Sequence, residues 1–265
     1  MAHAGAAPSP AVGVRPKVQP ATAPMPETPI PACAVPASLL DAACEPYRKA
    51  GRFAYYFARG KLTADPVYRA ILELGLLSGR GRILDLGCGQ GLLAAWLQAA
   101  RRSFESGAWP QDWPAAPTPQ STRGIELMPK DVERARRALG PGGVSQGDIR
   151  VAEFGAADAV VMLDVLHFMP ADAQRKVLLR VRAALPARGL LLLRVGDSGG
   201  GLRFRHTQWV DRLAMLLRGH AIMTAHWRSV AEWLELLREC GFEVEAQPMS
   251  EGTRFANVLL IALAS

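Results

Sequence analysis

Apolar runs broken by glycine or by polar residues alternate with segments of helical spacing along most of this chain. The segment Arg82–Leu86 is mainly apolar and is followed by three alternating glycines, after which apolar positions resume at helical spacing over Leu92–Leu97. This order predicts a buried strand, a tight turn and the start of a helix. Glycines suit such a turn because its backbone angles are closed to other residues and because a ligand can then approach the main chain closely.

The same alternation continues to the last residues and predicts an α/β fold. Further strands are predicted at Arg123–Leu127, Ala157–His167, Gly189–Val195, Glu243–Gln247 and Asn257–Ala264. Helices are predicted at Asp172–Leu185 and Ser229–Cys240.

Composition divides the chain into a tail and one domain. Residues 1–36 contain nine prolines and only three charged residues, so they bury too little to offset their ordering entropy. We therefore expect a disordered Pro/Ala-rich tail over 1–38 and one domain over 39–265. A secretory signal is the rival interpretation of the tail, but prolines interrupt the apolar core that a signal needs. No apolar run approaches the ~18 residues of a membrane span.

Three segments of the domain need separate interpretation. Residues 101–122 contain four prolines, which exclude a helix and favour an extended surface loop. Residues 39–78 contain all four tyrosines and predict an aromatic helical segment, in which Phe53, Tyr56 and Phe57 either anchor the helix on the core or face a substrate. Residues 199–228 predict a substrate-side insertion with a glycine hinge and a helix over Phe204–Leu217.

The predicted turn is suited to binding a cofactor. The helix after it offers free N–H groups and a partial positive charge, and Asp85 adds a carboxylate to the same crevice. A dinucleotide fold prefers G-x-G-x-x-G. Here the third glycine, Gly91, comes one residue early, and this spacing argues against a nicotinamide-dependent oxidoreductase.

The run Leu84–Gly91, L-D-L-G-C-G-Q-G, resembles the first motif of class I S-adenosylmethionine-dependent methyltransferases. The resemblance extends over residues 45–265 in the order of elements expected for that family. It implies a Rossmann-like, doubly wound, seven-stranded sheet that is mostly parallel, with an antiparallel C-terminal strand and helices on both faces. It also implies S-adenosylmethionine as cofactor.

The resemblance assigns cofactor binding to ten residues: Asp85, Gly87, Cys88, Gly89, Gly91, Glu126, Leu127, Asp148, Ile149 and Asp164. Among them Glu126 is expected to bind the two ribose hydroxyls, Asp148 the adenine amine, and Ile149 the adenine ring. Asp164 is expected to face the methionine portion. The insertion at 101–122 lengthens the usual spacing before Glu126, although the strand context of that residue fits.

His167 is the candidate catalytic residue, because the carboxyl end of the fourth strand would place a general base near the substrate. The alternative is that His167 orients its loop or lines the cofactor pocket. No metal site is expected, because the cysteines and histidines lack the spacing of metal ligands.

The partner is expected to be a small molecule, which could be tethered to an acyl carrier protein. The net charge of +7 would suit an acidic carrier, whereas the spread of the arginines and the absence of aromatic-interleaved basic stretches disfavour nucleic acid. Residues 46–60 resemble tailoring methyltransferases of aryl-polyene, fatty-acid-like synthesis. A non-catalytic methyltransferase-like subunit and an RNA methyltransferase remain alternatives. Unpaired cysteines indicate the cytoplasm.

Overall fold

The computed structural model describes residues 35–198, 225–249 and 257–265. A seven-stranded sheet with strand order β3-β2-β1-β4-β5-β7-β6 forms its centre. The strands are β1 (Arg82–Leu86), β2 (Ser121–Glu126), β3 (Val144–Gln146), β4 (Ala159–Leu163), β5 (Leu190–Gly196), β6 (Phe242–Pro248) and β7 (Asn257–Ala264). The first five strands pair in parallel, and β7 lies antiparallel between β5 and β6. The predicted fold class is therefore confirmed.

Helices precede and connect these strands. They are α1 (Ala37–Cys44), α2 (Arg52–Ala64), α3 (Pro66–Glu73), α4 (Leu92–Glu105), α5 (Pro129–Leu139), α6 (Ala171–Ala184) and α7 (Val230–Glu239), with short 3₁₀ turns at Glu45–Arg48 and Leu166–Phe168. Helix α7 begins at a capping box in which Ser229 and Glu232 bond to each other's backbone N–H groups, which fixes its first turn.

The central strands are buried on both faces, which explains why they read as continuous apolar runs. Along β5, Leu190 and Leu192 pack with helices α1 to α4, whereas Leu191 and Leu193 pack with α6 and α7. Each such leucine contributes about 2 kcal/mol through burial. The sheet is thus enclosed between two apolar layers. The carboxyl ends of its parallel strands lie outside these layers and can form a site.

The aromatic segment before β1 is divided into several elements. Pro66 begins α3, and the Asp65 side chain caps that helix by accepting from Val67 N at 3.2 Å. Of the three aromatic residues that could anchor α2 on the core, Phe57 is half-buried and packs against it, whereas Phe53 and Tyr56 do not, since their exposed fractions are 42% and 63%. The fully buried residues of α2 are Ala54, Ala58 and Leu62.

The segment 101–122 differs from the predicted surface loop in two ways: a helix extends into it, and the loop that follows packs against the core. Helix α4 continues to Glu105, because the first proline that could end it is Pro110. The loop that follows packs against the core: Trp113 is buried, and Trp109 Nε1 donates to the Pro114 carbonyl at 2.9 Å. The predicted surface loop is therefore a shorter, anchored loop.

Two predictions fall on other parts of the chain. Residues 1–34, which make up most of the predicted tail, lie outside the described residues, and the boundary predicted at residue 38 falls inside α1. The glycine hinge and the helix predicted at Phe204–Leu217 also lie outside them. Within the described ranges, no helix is long and apolar enough to cross a bilayer.

The N-terminal helices contact the glycine turn directly. The buried Tyr47 hydroxyl donates to the Gln90 carbonyl at 3.0 Å, and Gln90 Nε2 donates to the Ala54 carbonyl at 3.0 Å. The conformation of the turn therefore depends on residues that come well before β1.

Replacing Tyr47→Phe should lower the free energy of unfolding by about 1 kcal/mol, because it leaves a buried carbonyl without its donor. Urea denaturation of the variant and the parent measures this loss. Tyr56→Phe, at an exposed position, serves as the matched control and should unfold like the parent. Equal midpoints for Tyr47→Phe and the parent would contradict the proposed contact.

Candidate functional site

The turn between β1 and α4 requires glycine at alternating positions. Gly87, Gly89 and Gly91 have φ values of 75°, 55° and 78°, all in the left-handed region that favours glycine. A Cβ atom at Gly87 would also lie 2.6 Å from Val165 Cγ2. The turn lies at the point where the strand order reverses, between β1 and β4, which is the usual position of the ligand crevice in such sheets.

Glu126 closes this turn from the end of β2. Its two carboxylate oxygens accept from Gly89 N and Met128 N, each at 2.8 Å. Because a carboxylate has about four lone-pair positions, Glu126 retains acceptor capacity for a ligand. The side chain thus orders the glycine turn and can still bind a pair of hydroxyls.

Asp85 lies buried at the carboxyl end of β1. Burial raises the pKa of its carboxyl to about 8, and the nearby Glu126 carboxylate adds to the effect. At neutral pH Asp85 therefore holds its proton until a cation arrives. This environment favours a positively charged ligand.

The cofactor implied by the resemblance, S-adenosylmethionine, fits these residues. Gln90 is buried, and its Oε1 atom accepts no hydrogen bond from the part of the chain that the structure describes. An acceptor of this kind, within a glycine-rich turn, suits an ammonium or hydroxyl donor. The pyrophosphate of a dinucleotide fits less well, because Asp85 and Glu126 would place two carboxyl groups beside it.

The other predicted cofactor residues lie in the turn itself and directly after β2 and β3. Cys88 is buried, and burial raises the pKa of its thiol well above the ordinary range, which disfavours a reactive thiolate. Leu127 is 44% exposed and Ile149 is buried. The Asp148 carboxylate is bound by the Arg150 side chain at 2.5 Å, and this bond lowers the pKa of Asp148.

Asp164 belongs to a charged group that the sequence analysis did not identify. Arg194, on β5, is buried and binds the carboxylates of Asp164 and Asp65, and Lys61 Nζ lies 2.8 Å from Asp65 and 3.5 Å from Asp164. We call these four residues the Arg194 cluster. Burial opposes ionisation of both aspartates, but Arg194 and Lys61 outweigh it and hold each carboxyl pKa below its usual range.

The Arg194 cluster connects the N-terminal helices to the carboxyl ends of β4 and β5. Asp164 has a φ of 59°, an uncommon conformation that aspartate tolerates better than most residues. The two positive and two negative charges of the Arg194 cluster balance. The sequence signal was available, because an arginine within a wholly apolar strand requires buried partners.

His167 lies in the 3₁₀ turn after β4 and is buried. Its ring stacks on Trp227 with centroids 4.2 Å apart. Burial lowers the imidazole pKa to about 4, while Asp164 and Arg194 act in opposite directions. The ring is therefore neutral at physiological pH and a weak proton acceptor.

No group of three or more potential metal-ligating residues occurs among residues 35–198, 225–249 and 257–265.

Comparison with known proteins identifies the relatives of this chain. A family profile described as a methyltransferase domain matches residues 56–247. A carboxy-S-adenosyl-L-methionine synthase from Chromohalobacter salexigens is 31% identical over 140 residues, which are 48% of this chain and 47% of the relative. The match thus spans about half the length of this curated relative.

Solved structures share the fold. An O-methyltransferase family protein from Burkholderia thailandensis has a TM-score of 0.55 at 21% identity, covering 82% of this chain and 62% of its own. Magnesium protoporphyrin IX methyltransferase from Synechocystis PCC 6803, with bound SAH, has a TM-score of 0.52 at 19% identity, covering 83% and 94%. At these identities the likeness concerns the fold alone.

Replacing Asp85→Asn should stabilise the ligand-free protein at alkaline pH. The folded carboxyl keeps its proton up to a pKa of about 8, whereas the unfolded one loses it near 4. Stability therefore falls as pH rises between these values, and the amide removes this fall.

Urea denaturation between pH 6 and 9 should show that the free energy of unfolding of Asp85→Asn exceeds that of the parent by more than about 1 kcal/mol at pH 9. Asp112→Asn, at an exposed position, should follow the parent. An Asp85→Asn curve parallel to the parent across this range would contradict the environment assigned to Asp85.

Replacing Arg194→Leu should cost about 3–5 kcal/mol, because two buried carboxylates lose their common partner. Combining it with Asp65→Asn should cost less than the sum of the two single changes. A double-mutant cycle in urea tests this coupling, and strict additivity would count against the Arg194 cluster as a unit.

Proposed function

We propose that this chain, which belongs to the methyltransferase-domain family whose profile covers residues 56–247, transfers a methyl group from S-adenosylmethionine to a small-molecule acceptor. The observation that carries the proposal is the crevice after β1. A turn that requires glycine at Gly87 and Gly91 lies beside the buried Asp85 and the ribose-binding candidate Glu126. This combination suits a positively charged nucleoside.

In this proposal the cofactor-binding residues keep the roles that the resemblance implies. Glu126 accepts from the ribose hydroxyls, Asp148 and Ile149 hold the adenine, and Leu127 is a further cofactor contact beside Glu126. Cys88 serves as a small side chain in the turn. Its sulfur packs closely on Gly124, where an added Cβ would lie 2.5 Å from it. The Asp85 carboxylate pairs with the positive charge of the methionine portion.

When bound, the cofactor supplies an electrophilic methyl group on a sulfonium sulfur. The acceptor's oxygen, nitrogen or carbon forms a bond to that carbon, the carbon–sulfur bond breaks, and its electron pair stays on sulfur. The protein contributes chiefly by holding the acceptor in line. A proton released by the acceptor can pass to solvent.

We assign His167 to the wall of the site, where it is held neutral. The low imidazole pKa, about 4, makes it a poor general base at neutral pH. Asp164 shares this wall, and its carboxylate is oriented by Arg194. His167 is therefore proposed to shape the acceptor side of the crevice, whereas Asp164 keeps its proposed place toward the methionine portion of the cofactor.

The acceptor is proposed to be apolar and to reach the site past α2. Helix α2 exposes Phe53 and Tyr56 close to the glycine turn, which Ala54 contacts. This face suits an aromatic or polyene chain, in keeping with the resemblance of residues 46–60 to polyene-tailoring enzymes. The net charge of +7 supports delivery on an acidic carrier protein, and the unpaired cysteines support a cytoplasmic setting.

The test incubates the protein with methyl-labelled S-adenosylmethionine and a small-molecule extract, with and without added acyl carrier protein. Mass spectrometry then identifies both products. Labelled small molecule together with S-adenosylhomocysteine supports the proposal, whereas a carboxylated nucleoside would indicate the activity named for the Chromohalobacter relative. No change in the melting temperature of the protein with S-adenosylmethionine or with S-adenosylhomocysteine would refute cofactor binding altogether.

Glu126→Gln should raise the dissociation constant for S-adenosylhomocysteine at least about tenfold, because an amide loses one acceptor and sets a donor against a backbone N–H. Isothermal titration calorimetry measures the change. Glu133→Gln, at an exposed site on α5, is the matched control and should bind like the parent. Equal affinity in both variants would remove Glu126 from the ribose site.

A further inference from the structure

The side chain of Gln174 lies behind the proposed site, fully buried on α6. Its Nε2 atom lies 3.2 Å from the Leu166 carbonyl and 3.1 Å from the Met169 carbonyl. These two carbonyls flank His167 on either side of the 3₁₀ turn. One amide therefore fixes both ends of the turn that carries the imidazole.

The same amide also holds a second segment. Nε2 lies 3.0 Å from the His226 carbonyl, and Arg228 Nε donates to Oε1 at 2.7 Å. Since Arg228 can only donate, it determines which way the amide faces. Two N–H groups thus serve three carbonyls, and Gln174 joins residues 226–228 to the turn.

A third contact completes the unit. His226 N donates to the His167 carbonyl at 2.6 Å, and the neighbouring Trp227 ring stacks on the His167 imidazole at an interplanar angle of 11°. Trp227 also packs against Gly196 of β5, where a Cβ would lie 2.8 Å from its ring. The indole is therefore set between the imidazole and the main chain of β5.

We propose that Gln174 is a positioning residue for His167: its amide locks the 3₁₀ turn to residues 226–228 and so holds Trp227 against the imidazole. The hydrogen-bond partners of Gln174 are three backbone carbonyls and the Arg228 guanidinium. The inference rests on the proposed function, in which His167 lines the methyl-transfer site.

The environment of the imidazole provides the readout. Asp164 and Arg194 are the charged groups that act on the ring, and both belong to the Arg194 cluster. Releasing residues 226–228 would leave that cluster in place but would let water reach the ring. The imidazole would then protonate at a higher pH, closer to the ordinary value.

The experiment is an NMR pH titration of the histidine ring signals in the ligand-free full chain, with His167 assigned from its missing signal in His167→Asn. Gln174→Leu should shift the His167 midpoint upward by about one unit or more, a tenfold or greater gain in proton affinity. Trp227→Leu should produce the same upward shift although Gln174 is intact.

Leu178→Ala, on the same helix and fully buried, is the matched control. It should lower the melting temperature by creating a cavity while leaving the His167 titration unchanged. This separates a positioning role from a general loss of stability.

If Gln174→Leu does not fold, Arg228→Met decides the matter, because it frees the amide that Arg228 orients and should give a smaller shift in the same direction. A His167 titration that overlays the parent in folded Gln174→Leu, or in both Trp227→Leu and Arg228→Met, overturns the inference. Calorimetry of the parent with S-adenosylhomocysteine tests the proposed function separately, since the titration uses no ligand.

Discussion

A Cβ atom at Gly87 would lie 2.6 Å from Val165, and one at Gly91 would lie 2.8 Å from Leu139, so the main chain between β1 and α4 can follow its path only with glycine at these two positions. This steric constraint lets the turn pack closely and brings it to the end of β2, where Glu126 binds Gly89. The other contacts of the turn maintain it: Glu126 accepts from Gly89, and Tyr47 donates to Gln90. The glycine turn after β1 is therefore held by contacts from the end of β2 and from the N-terminal helical segment.

Electrostatically, the two sides of the crevice differ. On the side of β1 and β2, Asp85 and Glu126 are two neighbouring carboxyl groups, and Asp85 remains protonated chiefly because burial raises its pKa, with Glu126 adding to the effect. On the side of β4 and β5, the Arg194 cluster balances its own charges, and His167 stays neutral beside it. A cation is thus attracted to one side, while the other side offers shape and fixed dipoles to an uncharged acceptor.

The sheet and the glycine turn were predictable because strands that are buried on both faces give long apolar runs and because the turn requires glycine at set positions. The packing of α2 was not predictable in this way. Its aromatic residues suggested a buried face, but Phe53 and Tyr56 are exposed and Phe57 is only half-buried, while Ala54, Ala58 and Leu62 are fully buried. The Arg194 cluster joins residues far apart in sequence, so spacing could not reveal it; Gln174 escaped notice for the same reason. The roles of the individual site residues remain predictions.

The position of β7 between β5 and β6 has a consequence for how the chain acquires its structure. Strand β5 carries a row of buried leucines, and the register that pairs Leu192 with Ile261 covers its second edge with a strand that comes much later in the chain. Until residues 257–264 dock, β5 presents an unpaired apolar edge of the kind that recruits other chains into aggregates. Because sheet closure depends on this distant pairing, late folding intermediates should be the species most in need of chaperones.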